Sequence, residues 1–235
     1  MNAKELKYKN YPAYLRNRYH AKLLKRLKRR YMLDKLSVLD VGGGGGAFSY
    51  FLDEDFAYTT LDIDKERVDD ALSKRIPALH YDGQTIPIDD SFFDVVLCSH
   101  TIEHVPAKDR VRLLREMKRV ARHAVLIVFP KEPHPLEKKA LRILEKKGRR
   151  DLFVYENIKE HLSLPAVSQK TISNVYENVV WRETSNPHVW MTMSIYLRTW
   201  IPDFLRVPVT FALDPLMRWF DRMKPATTWV AFFQH

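Results

Sequence analysis

The sequence predicts an α/β fold, a mainly parallel sheet with helices on both faces, and three observations predict it. Short β-branched and apolar runs alternate with helical stretches from "KLSVLDV" onward, which is the pattern of βαβ units. Five consecutive glycines, Gly42 to Gly46, follow the first of those runs, where a strand must turn. The 235-residue length, with 46% hydrophobic and 29% charged residues, suits one such domain with an appended segment.

The elements follow in order. Pro12 sits where a first helical turn tolerates proline, and Leu15, Tyr19, Leu23, Leu27 and Tyr31 recur every four residues. That spacing makes one face of an amphipathic helix whose opposite face is mostly Lys and Arg. Strands are expected over 36–41, 57–63, 78–81, 93–99 and 124–129, with helices over 47–54, 65–75 and 107–121 between them. A charged helix over 136–148 should follow the Pro-punctuated stretch after "LIVFP", and all five tryptophans lie beyond residue 180. The chain thus divides into a basic helix (1–34), a ligand-binding core (35–150) and a C-terminal region (151–235) that completes the sheet and adds an aromatic cap.

Charge is local. Residues 1–36 carry 12 Lys and Arg against Glu5 and Asp34, and the remainder is neutral, although the whole chain is +10. Such a segment suits phosphate groups of an anionic membrane surface, a lipid-linked substrate or RNA, or else forms a solvated helix face. The lone Cys98 permits no intrachain disulfide, CxxC pair or Cys-based zinc cluster, which fits a reducing compartment. The first forty residues lack an apolar run of signal length, and charges interrupt every apolar run in the last third. A cytoplasmic protein is expected, with any membrane contact peripheral, at the inner face.

A glycine run costs backbone entropy and is favoured where the chain turns tightly and a ligand approaches the backbone. Read as DxGxGxG, Asp40, Gly42, Gly44 and Gly46 form one kind of nucleotide loop; read as GxGxxA, the same stretch forms a dinucleotide loop. The loop alone leaves both open. It should lead into a helix near Ala47 whose free N–H groups face the ligand. In "TTLDID", Asp62 ends the second strand, where a carboxylate accepts hydrogen bonds from ribose hydroxyls; Ile63 follows it, and Asp64 reads as an N-cap.

The stretch "YDGQTIPIDDSFFDVVLCSHTIEHV" at 81–105 resembles the type 11 methyltransferases, which include ubiquinone and menaquinone methyltransferases. The "IPIDDSFFDVV" segment matches that family's loop into its fourth strand and has no counterpart in dehydrogenase fingerprints. The resemblance covers residues 35–130; the five glycines exceed the family's usual loop. It implies a Rossmann-like class I methyltransferase fold with a mainly parallel seven-stranded sheet, and S-adenosylmethionine as cofactor. It also implies that Asp82 bonds the adenine amino group and that Gly83 lets a backbone N–H meet the ring. Farther on, "NIKEHLSLP" is similar to members associated with cell-envelope glycan synthesis.

Ser99 and His100, at the end of the fourth strand, should face the methionine end of the cofactor and the acceptor. Methyl transfer is an in-line displacement needing alignment and, for a hydroxyl acceptor, removal of a proton. His104, His100 and Glu103 are the candidates for that base; the alternative is that the Glu–His pair caps the next helix. His134 is a further candidate. "HTIEH" also reads as HxxEH, but a zinc protease needs both histidines on one long helix; the stretch is also similar to the ExxEH with which some quinone O-methyltransferases bind a divalent metal, with His100 in place of the first Glu, and no metal ligand is assigned. Cys98 reads as a buried strand residue, and "CSHT" is not the (N/D)PP(Y/F) tetrad that holds a flipped base, which argues against nucleic-acid bases as acceptor. The expected partner is a small-molecule or lipid-linked acceptor, with O-methylation as the reaction. The alternatives are an RNA methyltransferase using the basic helix and a non-catalytic binding protein. Trp200, Phe204, Phe211, Trp219 and Phe220 could line an acceptor pocket, face a membrane or fill a core.

Overall fold

The computed structural model describes residues 10–132 and 134–234, so Lys4, Lys7 and Lys9 of the basic segment lie outside the described residues. The chain clusters into two compact units. A sheet unit comprises Asn17–Phe129, Val167–Arg182 and Trp229–His235; a helical unit comprises Met1–Arg16, Pro130–Ala166 and Glu183–Thr228. The charged helix expected over 136–148 falls in the helical unit.

In chain order the elements are α1 (Tyr11–Arg30), β1 (Leu36–Val41), β2 (Phe56–Asp62), α2 (Lys65–Ser73), β3 (Ala78–His80), β4 (Phe93–Ser99), α3 (Ala107–Val120) and β5 (Ala121–Pro130). There follow α4 (Pro135–Lys146), α5 (Phe153–Ser163), α6 (Gln169–Ser173), β6 (Val180–Thr184), α7 (Pro187–Trp190), α8 (Leu197–Trp200), α9 (Asp203–Phe220) and β7 (Thr228–Gln234). The seven strands form one sheet in the order β3-β2-β1-β4-β5-β7-β6, with parallel β1·β2, β1·β4, β2·β3 and β4·β5 pairs. This is the expected Rossmann-like sheet. The chain moves outward through β2 and β3, then restarts beside β1 with β4, so β1 and β4 flank the switch point where open sheets bind ligands.

Strand parity divides the core. Val96, Cys98, Val125 and Ile127 join Leu113, Leu114 and Met117 of α3 and Ile172 of α6 in one cluster. Leu36, Val38, Val95, Leu97, Leu126 and Val128 join Ala21, Leu24 and Leu27 of α1 in the other. Helices therefore cover both faces, as near-continuous apolar strands require. Burying Leu24 and Leu27 stabilises α1 by about 1.5–3 kcal/mol each. The buried stripe of α1 runs through Asn17, His20, Ala21, Leu24 and Leu27, one position around from the expected one, and leaves Leu15, Tyr19 and Leu23 half-buried at its margin.

The helix expected over 47–54 is instead a short 3-10 turn, Ala47–Phe51. Gly46 precedes it at φ 69°, and the Ser49 N–H and hydroxyl both donate to the Gly46 carbonyl (3.0 and 2.7 Å). That hydroxyl competes with helical pairing, and the chain leaves the turn as extended backbone at Leu52.

In the helical unit, Ala140 and Leu144 of α4 pack with Tyr155 and Ile158 of α5 and with Met191 and Ile195. Met191–Tyr196 is a π-helical stretch between α7 and α8. His134 caps α4, its Nδ1 accepting from the Leu136 N–H (3.2 Å). Among the described residues no helix is long and apolar enough to cross a membrane.

Candidate active site

The alternation read as DxGxGxG is present in the backbone: Gly42, Gly44 and Gly46 have φ of 73°, 55° and 69°, whereas Gly43 and Gly45 do not have positive φ. At Gly42 a Cβ would collide with the Thr101 side chain, so the loop lies directly against the end of β4. At Gly44 the nearest atom to such a Cβ would be 3.7 Å away, on Arg67. A Cβ there would make ordinary van der Waals contact, without the clash found at Gly42.

Asp62, buried at the end of β2, fastens the loop. Its Oδ2 accepts from the Gly44 N–H (2.9 Å) and its Oδ1 from the Asp64 N–H (3.0 Å). Each oxygen keeps a lone pair for a hydroxyl. Asp64 in turn caps α2, accepting from the Glu66 and Arg67 N–H groups, which is the role expected of it. Asp40 is turned into the sheet by strand parity, and its Oδ2 accepts from the buried Tyr58 hydroxyl (2.8 Å). Its geometry is that of a support beneath the loop, with the Gly43 N–H donating to its carbonyl (3.3 Å).

Across from the loop, Ile63 is exposed and its Cγ2 lies 3.7 Å from where a Gly83 Cβ would stand. Gly83, at φ 77°, follows the exposed Asp82, whose Oδ1 accepts from the Gln84 N–H (2.8 Å). Oδ2 is the Asp82 oxygen left to a ligand. Two residues that sequence reading passed over join this edge. Arg112 of α3 donates to the Gly83 carbonyl (3.3 Å). The Tyr81 hydroxyl is pushed up to about 12 by burial and by the charges of Cys98, Asp62 and Asp82, against the opposing pull of Arg112.

At the end of β4 the structure brings His100 and Glu103 together, Nδ1 to Oε1 at 3.3 Å. His100 has φ 53°, the left-handed region that costs a non-glycine residue free energy and recurs at functional sites. Its N–H donates to the Val128 carbonyl (2.8 Å). Glu103 is 5% exposed; burial raises its pKa, but the His100 hydrogen bond and the His100 and His104 charges hold it below the ordinary carboxylate range. His104 stands exposed on the short turn Ile102–His104. The helix-capping alternative fails, because α3 starts at Pro106 with no side-chain cap, and Arg110 anchors the turn by donating to the Glu103 and Val105 carbonyls (3.1 and 3.0 Å).

Ser99 Oγ and Glu103 Oε2 are buried and lack a hydrogen-bond partner among the described residues. Thr101, also passed over, donates from Oγ1 to the Gly42 carbonyl (3.4 Å) and so ties β4 to the loop. Its only sequence signal is its place two residues beyond the strand. Burial pushes the Cys98 thiol up and leaves it a poor nucleophile, as its strand position implied. The glycine loop, the Asp62 and Asp82 carboxylates and the Ser99 hydroxyl, which lacks a partner among the described residues, are the groups an adenosine bearing an amino-acid tail requires.

Comparison with known proteins agrees. Residues 39–129 match the type 11 family described as a methyltransferase domain. An S-adenosylmethionine-dependent methyltransferase from Archaeoglobus fulgidus superposes with TM-score 0.53 at 15% identity, over 92% of this chain and 94% of that one. The plantazolicin methyltransferase BpumL, solved with S-adenosylhomocysteine, gives TM-score 0.56 at 14% identity over 98% of this chain and 88% of that one. The fold is thus shared well beyond recognisable sequence, and within it the loop, the two acidic strand ends and the matched segment coincide. Residues 39–129 are similar to the type 11 methyltransferase-domain family, and the chain shares the class I methyltransferase fold of these solved structures.

Proposed function

We propose that the enzyme O-methylates a small hydroxylated acceptor of the lipid, quinone or envelope-glycan class, inside the cell at the inner membrane face. One observation carries the choice of a hydroxyl: the His100–Glu103 pair, 3.3 Å apart at the carboxyl end of β4 beside the glycine loop. Gly42 to Gly46, Asp62, Ile63, Asp82, Gly83 and Ser99 would hold the cofactor. When bound, the cofactor supplies a methyl group on a sulfonium whose departure needs no proton. His100, oriented by Glu103 through Nδ1, takes the acceptor's proton at Nε2, and Glu103 stabilises the resulting imidazolium. His104 contributes its charge at the rim.

The test is release of S-adenosylhomocysteine with a panel of phenols, polyprenyl-linked sugars and amines. Hydroxyl acceptors should turn over, and His100→Ala should lower kcat by about 10²-fold or more while leaving cofactor affinity unchanged. Turnover of amines alone would refute the reading, and no release with any acceptor would favour a binding protein. RNA methylation draws on α1, which exposes Lys22, Lys25, Arg26, Arg29 and Arg30. Lys25 already pairs with Asp53 at 2.7 Å. Salt-steep RNA retention, lost on neutralising these side chains, is the outcome that would support it.

A further inference from the structure

α9 is built inside out. From Phe204 to Phe220 every exposed position is apolar, whereas Thr210 and Asp214 are buried and Arg206 and Arg218 are half-buried. Asp214 is partnered from two sides: the Tyr11 hydroxyl donates to its Oδ1 (2.8 Å), and Arg218 lies 3.1 Å from its Oδ2. Outside, Phe204, Phe211, Pro215 and Trp219 follow one another at steps of seven, four and four residues and make a single stripe along the helix. Phe204 is 78% exposed and Trp219 57%. A water-facing helix surface carries the opposite pattern, so this face is made for an apolar environment.

We propose that α9 is an interfacial helix that docks the enzyme on an anionic phospholipid bilayer. Charge selects that occupant. Residues 137–150 hold seven Lys and Arg against two Glu. The Lys147 ammonium sits 4.0 Å over the Trp200 ring, and Arg149 donates to the Arg198 carbonyl (3.0 Å), so cations gather at one end of the stripe. Arg222 and Lys224 are exposed beyond Trp219 at the other end. Tryptophan with neighbouring cations at each end suits the boundary between headgroups and acyl chains. A second copy laid on the same face would set these like charges against one another. Depth is limited too, because Pro208 and Pro215 deprive the Phe204 and Phe211 carbonyls of the N–H four residues on, and those carbonyls need water.

The full chain is sedimented with vesicles of phosphatidylcholine alone and of phosphatidylcholine mixed with phosphatidylglycerol. Binding should be at least about tenfold tighter to the anionic vesicles, with a blue shift of tryptophan emission. The double variant Phe204→Asp/Phe211→Asp should lose at least about tenfold in that binding with its Tm unchanged, since both side chains are exposed. Absence of binding to anionic vesicles, binding that the double variant retains, or a lipid-free dimer that it dissociates would each overturn the proposal. Vesicle binding needs neither cofactor nor acceptor, so its failure leaves the methyl-transfer reading standing.

Discussion

In β4 every residue from Phe93 to Cys98 is buried, and the polar groups that matter stand at the strand's end; in α9 the exposed face from Phe204 on is apolar and the polar groups lie beneath it. Both regions are rich in apolar residues, yet only the first buries them against the chain itself. The difference teaches that apolar content does not identify a core. What identifies it is which residues of the element face outward, and in α9 from Phe204 on those are apolar.

Large-to-small substitution breaks or upholds that contrast most directly. Leu126→Ala, at a fully buried position of β5, should cost about 3–4 kcal/mol in urea unfolding. Phe204→Ala should change stability by no more than about 0.5 kcal/mol, because its side chain is 78% exposed. Comparable costs would mean that the outer face of α9 is packed rather than presented.

The polar ends of the sheet unit make the next largest effect. Asp62→Ala should weaken S-adenosylhomocysteine binding in calorimetry by about 100-fold, since it removes an ionised acceptor and releases the Gly44 and Asp64 amides it holds. Asp62→Asn should retain part of the affinity, because one carbonyl oxygen still accepts. Equal losses for the two variants would show that loop geometry, not ribose bonding, is the residue's contribution.

Much of this was legible in the sequence because it is local. Short β-branched and apolar runs placed the strands, Asp64 sits where a cap must, and the glycine run marked the turn in which Gly42, Gly44 and Gly46 take positive φ. Partnerships that close over long sequence distances were not legible. Nothing near Asp40 announces Tyr58, and nothing near Gly42 announces Thr101. Composition alone did not separate the tail's tryptophans: Trp181 and Trp229 pack against the core, their rings 5.9 Å apart, whereas Trp200 and Trp219 face outward. One residue type served two ends, and only the positions of Asp214 and Arg218 separated them.

Arg119 belongs to the same non-local class. From α3 it donates to the Ile86 and Ile88 carbonyls (2.9 and 2.8 Å) and pairs with Glu116 and Asp90 (2.7 and 2.8 Å). It thereby pins the "IPIDDSFF" segment that resembles the family's loop into β4. Arg119→Ala should destabilise the chain by about 2 kcal/mol, because two carbonyls and two carboxylates lose a charged donor at a half-buried site. A double-mutant cycle with Glu116→Gln should show coupling, and additive losses would mean that the pair contributes independently.

The smallest expected effects, under about 1 kcal/mol each, have opposite signs in the two units and appear only with pH. Glu103, in the sheet unit, is held below its ordinary value of 4.5, so its contribution is present above that pH and is lost as pH falls through the lower, folded value. Asp221, in the helical unit, is raised above 3.8 by burial, against the lowering effect of the Asn186 N–H that it accepts. Ionised Asp221 therefore destabilises the fold at neutral pH, and protonation on acidification relieves the strain. Glu103→Gln should flatten the loss of stability below about pH 4.5, whereas Asp221→Asn should raise Tm at neutral pH and have no effect in strong acid. Calorimetry of both variants across that range decides it, and a parallel response would mean that the two carboxylates do not sit in the opposed environments their partners imply.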